Sequence, residues 1–216
     1  MIVLVQPETI LRWHRAGFRR YWRRRCLRYT SGVHVFDSWL REHLGATPPV
    51  GYCLRTDHRK RWLRLHSLPE SKRYAEDDVE RAEVRRRAWA AASEVLPTSS
   101  PVWLVTYLFG EEPDHSRLDE MPSLVFDRVG RYEHALLDEP LVAYAAQTTW
   151  PHDGFDQLID AIADDAVRAV WFSQASGEVF APYDGGIDLV VESPKRAETL
   201  RRVFPPDWFS RRADGL

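Results

Sequence analysis

The run Val102-Trp-Leu-Val-Thr-Tyr-Leu-Phe109 limits most sharply what this chain can become. Seven of its eight side chains are apolar or aromatic, and Thr106 is the exception. A helix needs about 20 apolar residues to cross a membrane, so the run is too short for that. Its β-branched and aromatic residues suit a pleated surface, and it is predicted as a buried strand. The rest of the chain must supply its neighbours and its cover.

Shorter strand patterns surround it. Trp62, Leu63, Leu65 and Leu68, with Arg64 and His66 interleaved, read as a strand that Pro69 ends. Leu124–Val129 and Leu141–Thr149 are two more, and Tyr52 and Leu54 suggest a short strand before the charged turn at 57–61. Val167–Phe172, Glu178–Ala181 and Ile187–Val191 form a meander turned by Ala175-Ser-Gly177 and Tyr183-Asp-Gly-Gly186. Helical spacing places helices at about 34–44, 76–96, 153–165 and 194–203. In the second, Val79, Ala82, Trp89, Ser93 and Leu96 trace the core side, and Asp77–Arg81 and Glu83–Arg87 are i,i+4 pairs. In the third, Asp153 is the cap, and Asp156, Asp160 and Asp164 read as a solvated stripe. Ser193 and Pro194 open the last on N-cap and N1 logic. The fold class is therefore α+β, a mixed α/β sandwich with a largely antiparallel sheet and packed helices.

Charge divides the chain. Residues 1–30 hold eight Arg against one acid, Glu8, whereas the remainder holds 22 basic and 31 acidic residues. Leu11, His14, Phe18 and Trp22 form an apolar helical stripe, and Arg12, Arg15, Arg19 and Arg23 run beside it. Aromatic rings next to guanidinium groups suit a phosphate backbone, so these four arginines are candidate nucleic-acid contacts within a basic arm at 7–28. The stretch Val5-Gln-Pro-Glu-Thr-Ile-Leu-Arg-Trp-His-Arg-Ala-Gly-Phe-Arg-Arg-Tyr-Trp22 resembles a segment of insertion-sequence transposases of the integrase type. The three widely spaced catalytic acids implied by that resemblance do not follow it. Residues 1–31 are thus expected to be a basic amphipathic helix outside the core, an appendage of transposon origin. Residues 33–216 are expected to form one globular domain. Two cysteines, Cys26 and Cys53, fit no zinc spacing and read as reduced thiols of a cytoplasmic protein.

Three segments carry a second resemblance: Arg61-Trp-Leu-Arg-Leu-His-Ser-Leu-Pro-Glu-Ser-Lys-Arg-Tyr74, Tyr183-Asp-Gly-Gly-Ile-Asp188 and Trp208-Phe-Ser-Arg-Arg-Ala-Asp-Gly-Leu216. Together they make residues 33–216 resemble the bacterial domain of unknown function 3885. The resemblance implies no activity.

Candidate functional residues cluster in the first two segments. His66, Glu70, Lys72, Arg73 and Tyr74 sit where a strand feeds a Pro turn, a common place for functional side chains. His66 and Glu70 could serve as an acid/base pair. Tyr183, Asp184 and Asp188 occupy the later turn, where Asp184 is expected to bond its own backbone. No Gly-rich phosphate loop, nucleophile elbow or metal-binding helix motif is present, so no metal or cofactor is expected. The sequence favours a non-enzymatic binding domain of immunity or regulatory type, contacting a protein partner through an acidic surface. The alternative is an enzyme using His66, Glu70 and the Tyr183–Asp188 turn, and the third reading is nucleic-acid binding by the arm. Deleting residues 1–31 is expected to leave the melting temperature within about 2 °C of the full chain; a fall of about 8 °C or more in calorimetry would make the arm part of the core.

Overall fold

The computed structural model describes residues 32–110 and 124–209. Its centre is a seven-stranded sheet in the order β1-β7-β6-β5-β2-β4-β3, with every neighbouring pair antiparallel. The strands are β1 (Trp62–His66), β2 (Ser100–Phe109), β3 (Asp127–Tyr132), β4 (Leu141–Trp150), β5 (Ala169–Ser173), β6 (Val179–Tyr183) and β7 (Gly186–Val190). The apolar run of the sequence is β2, which pairs with β4 over its full length on one side and with β5 on the other.

Helices cover both faces. Helices α1 (Gly32–Leu44) and α2 (Gly51–Asp57) lie on one, packing Phe36, Leu40, Leu44, Cys53 and Leu54 against Trp103, Val105 and Phe172. Helices α3 (Asp78–Val95), α4 (Phe155–Ala163) and α5 (Pro194–Val203) lie on the other, over Leu63, Leu65, Leu104, Trp171 and Phe180. Because both faces are covered, β5 and β7 are buried at all five positions and carry no exposed alternate face.

The helices start where the sequence provides caps. Asp77 accepts from the Glu80 N–H at 2.8 Å, and Ser193 accepts from the Arg196 N–H at 3.2 Å, ahead of Pro194. Four expectations need correction. Gly51–Asp57 is a helix and not a strand, since Cys53 and Leu54 are both buried on the same side of the sheet, which successive strand residues could not be. The cap of α4 is Gly154, at φ 87°, and not Asp153. The core side of α3 is Val84, Arg87, Ala88, Ala91, Ala92 and Val95, whereas Val79 is 78% exposed. The small alanines let this helix lie close to the sheet and blur its hydropathy pattern.

The fourth correction concerns the acidic stripe of α4: Asp156 and Asp164 are exposed, as expected of a solvated face, but each carboxylate of the stripe also has a partner on α3. Asp164 takes Arg81 at 3.1 Å, Asp160 takes the Arg85 Nε at 2.8 Å, and Asp156 takes the Trp89 indole N–H at 2.5 Å. Arg81, Arg85 and Trp89 are themselves spaced i,i+4 on α3, so two matching stripes zip the helices together. Asp77 is thereby freed for its capping role, whereas the Glu83–Arg87 pair forms as expected at 2.6 Å.

Trp150 joins most of this face. It is 1% exposed, and its ring lies 4.7 Å from Trp89, 5.4 Å from Phe155, 6.0 Å from Phe180 and 6.1 Å from Trp171. Replacing a fully buried ring of this size by Ala costs about 3–5 kcal/mol. Trp150→Ala is therefore expected to lower the unfolding free energy in urea by that amount, and a loss below about 1 kcal/mol would contradict the packing.

Candidate functional site

Antiparallel pairing of β1 with β7 sets Arg64 directly opposite Asp188. Their side chains project to the α1–α2 face, where the Arg64 Nε donates to Asp188 Oδ1 at 3.3 Å. The guanidinium also lies over two rings, 5.7 Å from Trp62 and 5.1 Å from Tyr183. Burial pushes the Asp188 carboxyl above its ordinary range, although Arg64 and Arg55 oppose the shift. The same burial pushes the Tyr183 phenol upward.

A second junction ties the two family segments together. The β6–β7 turn puts Asp184 at its tip, and Asp184 Oδ2 accepts from Arg73 Nε at 2.6 Å and from the Tyr74 hydroxyl at 2.9 Å. Asp184 therefore holds another segment of chain, and the expected bond to its own backbone gives way to that role. Gly185 has φ 95°, and a Cβ there would lie 3.3 Å from the Arg73 Cα, so the turn needs glycine both for its backbone and for this approach.

These junctions form one wall of a cleft of about 410 Å³. Arg55, Arg64, Arg73 and Arg168 line it, together with Asp165, Asp184 and Asp188 and the rings of Tyr52, Tyr107, Phe109 and Tyr183. Arg168 stacks on Phe109 at 5.5 Å and stands 3.6 Å from Asp165. Arg55 has no carboxylate within ion-pair distance among the described residues and leans on Trp62 at 5.8 Å.

Of the residues singled out from sequence, Arg73, Tyr183, Asp184 and Asp188 line this cleft, and Tyr74 reaches it through Asp184. His66, Glu70 and Lys72 do not line it. The His66 Nε2 sits 3.1 Å from the Ser71 hydroxyl, and desolvation together with Arg64 and Arg87 lowers its pKa, favouring the neutral ring. Glu70 and Lys72 line a separate hollow with Val79 and Glu80, and Lys72 donates to Glu80 at 2.7 Å. Arg12, Arg15, Arg19 and Arg23 lie outside the described residues. Sequence reasoning missed Arg55, Arg64 and Arg168 as site residues. Only the alternation of Arg64 with buried leucines hinted at its role, because its partner lies 124 residues away.

A second polar set lies under α2. His134 Nδ1 is 3.7 Å from the Cys53 sulfur, and its Nε2 is 3.3 Å from Asp57. The arrangement matches a nucleophile–base–acid series in residue types only. Cys53 is fully buried, and burial pushes its thiol to about 11, so it stays protonated and unreactive. Among the described residues, no three His, Cys, Asp or Glu side chains are grouped to hold a metal ion.

Residues 50–212 match the family model described as domain of unknown function DUF3885, and the chain belongs to that family. No curated protein and no solved structure matches. No described helix is long and apolar enough to cross a membrane.

The raised Asp188 carboxyl has a pH consequence. Stability contributed by a raised group is fully present below its unfolded pKa, near ~4 for Asp, and is lost as pH rises through the folded value. Between pH 4 and neutrality the wild type is thus expected to lose stability relative to Asp188→Asn. Parallel stability–pH curves for the two proteins, from urea unfolding, would contradict the assignment.

Proposed function

We propose that this member of the DUF3885 family is a binding domain of immunity or regulatory type, and that its ligand is a small molecule held in the arginine-lined cleft. One observation carries the reading. Two segments more than 100 residues apart are clamped together by Arg73, Tyr74 and Asp184, and the clamp closes one wall of a concave site. A cavity of this size lined by rings and a few convergent polar groups is the usual form of a small-molecule site. The excess of acid over base outside the arm suits a basic protein partner. It specifies no place on the surface, however, and the cleft does.

A second reading, enzymatic, is favoured by Asp188. A buried carboxyl held above its ordinary range, facing a cleft beside a tyrosine, is suited to proton transfer. In that reading Asp188 and Tyr183 replace His66 and Glu70 as the acid/base pair, because the latter two lie outside the lining.

The test is a screen of neutral, cationic and anionic metabolites against the full chain, read as a shift in melting temperature. Compounds that protect the wild type are expected to protect Arg55→Ala less. If every compound protects both proteins equally, or none protects the wild type, the cleft is not the binding site. Turnover of a bound compound by the wild type, abolished in Asp188→Asn, would replace the binding reading with the enzymatic one.

A further inference from the structure

The hydrogen-bonding capacity left unspent in the cleft is mostly donor capacity. Each lining carboxylate already faces a guanidinium: Asp188 faces Arg64, Asp184 faces Arg73, and Asp165 faces Arg168. The donors are not used up in return. Arg64 reaches Asp188 through its Nε, which leaves its terminal nitrogens without a carboxylate among the described residues. Arg55 has none among the described residues. The hydroxyls of Tyr52, Tyr107 and Tyr183 also lack a hydrogen-bond partner among the described residues. A guanidinium offers five N–H donors and no acceptor, so a ligand that satisfies this wall must be rich in acceptor oxygens.

These donors converge. Arg64 bonds Asp188 at 3.3 Å and lies 5.1 Å over the Tyr183 ring, and Arg55 and Arg64 both lean on the Trp62 ring, at 5.8 and 5.7 Å, in the lining of the same cleft. Two guanidiniums and a phenol exceed what the two oxygens of a carboxylate can use. A phosphoryl group brings three oxygens and close to two negative charges at neutral pH. It also matches the planar guanidinium fork, through which Arg binds phosphate by two parallel hydrogen bonds. The far wall is different in kind: Tyr52, Tyr107 and Phe109 present rings, and Arg168 stacks on Phe109. Such a wall suits an organic body in preference to a bare ion.

We propose that the cleft takes a small organic phosphate monoester, its phosphoryl group held by Arg55, Arg64 and Tyr183 and its body lying against the Tyr52–Tyr107–Phe109 wall. This rests on the cleft being the binding site, and it adds the chemical class of the ligand.

Four probes test it by calorimetric titration of the full chain at constant ionic strength: phenyl phosphate, inorganic phosphate, benzoate and phenol. Phenyl phosphate is expected to bind most tightly, inorganic phosphate more weakly, and benzoate and phenol least. Arg55→Ala is expected to weaken phenyl phosphate by roughly tenfold to a hundredfold, the loss of one charge-assisted contact, with Arg55→Lys in between. Circular dichroism should show both variants folded; Tyr183→Phe, which keeps the ring and removes the hydroxyl, provides a second variant with a smaller expected loss. Benzoate or phenol binding as tightly as phenyl phosphate would overturn the assignment, as would an unchanged affinity in both Arg55→Ala and Tyr183→Phe. If none of the four probes binds while screened metabolites still protect the wild type more than Arg55→Ala, the ligand class is wrong and the cleft remains the site.

Discussion

Asp188 is a carboxylate in a strand whose five residues are all buried, and the structure around it follows from the need to accommodate it. A buried charge must be paired, and its pairing geometry must hold. Arg64 meets that need from the facing position of β1, with Leu63 and Leu65 turned to the opposite face of the sheet. A one-residue slip of β1 would bring those leucines to the carboxylate and carry Arg64 into the α3 side of the core. The pair therefore pins the register of an edge strand. Net stability is a weak reason for such a pair, since well-packed apolar residues of similar volume commonly serve as well. That weakness directs attention to the cleft the pair lines.

Pinning β1 would be of little use if its free edge were open to other chains. Two arginines from the helices close it: Arg201 donates to the Trp62 carbonyl and Arg87 to the His66 carbonyl, each at 3.1 Å. Unpaired strand carbonyls invite pairing with another chain, and guanidiniums placed on them remove the template. Arg87 does more than cap the edge. It is 2% exposed, holds Glu83 at 2.6 Å, and stacks on Trp208 at 5.0 Å. One buried side chain thus links α3, the end of β1 and Trp208 near the end of the described chain. The first and third of the segments that carry the family resemblance meet through Arg87 at one end of β1, while Arg64 and Arg73 join the first two at the β6–β7 hairpin.

The sheet was readable from sequence because strand patterns are local. Glu178–Ala181 and Ile187–Val191 are short, mainly apolar runs between marked turns, and the structure has β6 and β7 there. Helix starts with a side-chain cap, such as Ser193, were equally plain. What failed depended on contacts beyond the local window. The face of α3 is set by alanines and a buried arginine, so apolar spacing pointed to Val79 on the wrong side. Asp156, Asp160 and Asp164 have the spacing of a solvated face, and only the matching stripe on α3 reveals that they also hold Trp89, Arg85 and Arg81. The site divides in the same way. Asp184 and Asp188 stood out because they flank a glycine turn, whereas Arg55 and Arg168 sit in unremarkable surroundings and join them only through topology.

The backbone between β1 and α3 explains how the clamp reaches its target. Glu70 and Ser71 both have left-handed backbones, with φ of 56° and 60°. Non-glycine residues in that region cost of order 1–3 kcal/mol each at sparsely populated geometries, and they persist only where surrounding contacts hold them. Those contacts lie on both sides: Pro69 and the Ser71–His66 contact before, and Lys72 on Glu80 with Arg73 and Tyr74 on Asp184 after. A relaxed turn would carry residues 72–74 along another path and leave Asp184 without its partners. His66 and Lys72 thus flank the strained turn with contacts of their own, Glu70 is part of that turn, and none of the three touches the cleft. The run from Arg61 to Tyr74 couples one strand, one strained turn and one clamp, and each part matters to the cleft through the next.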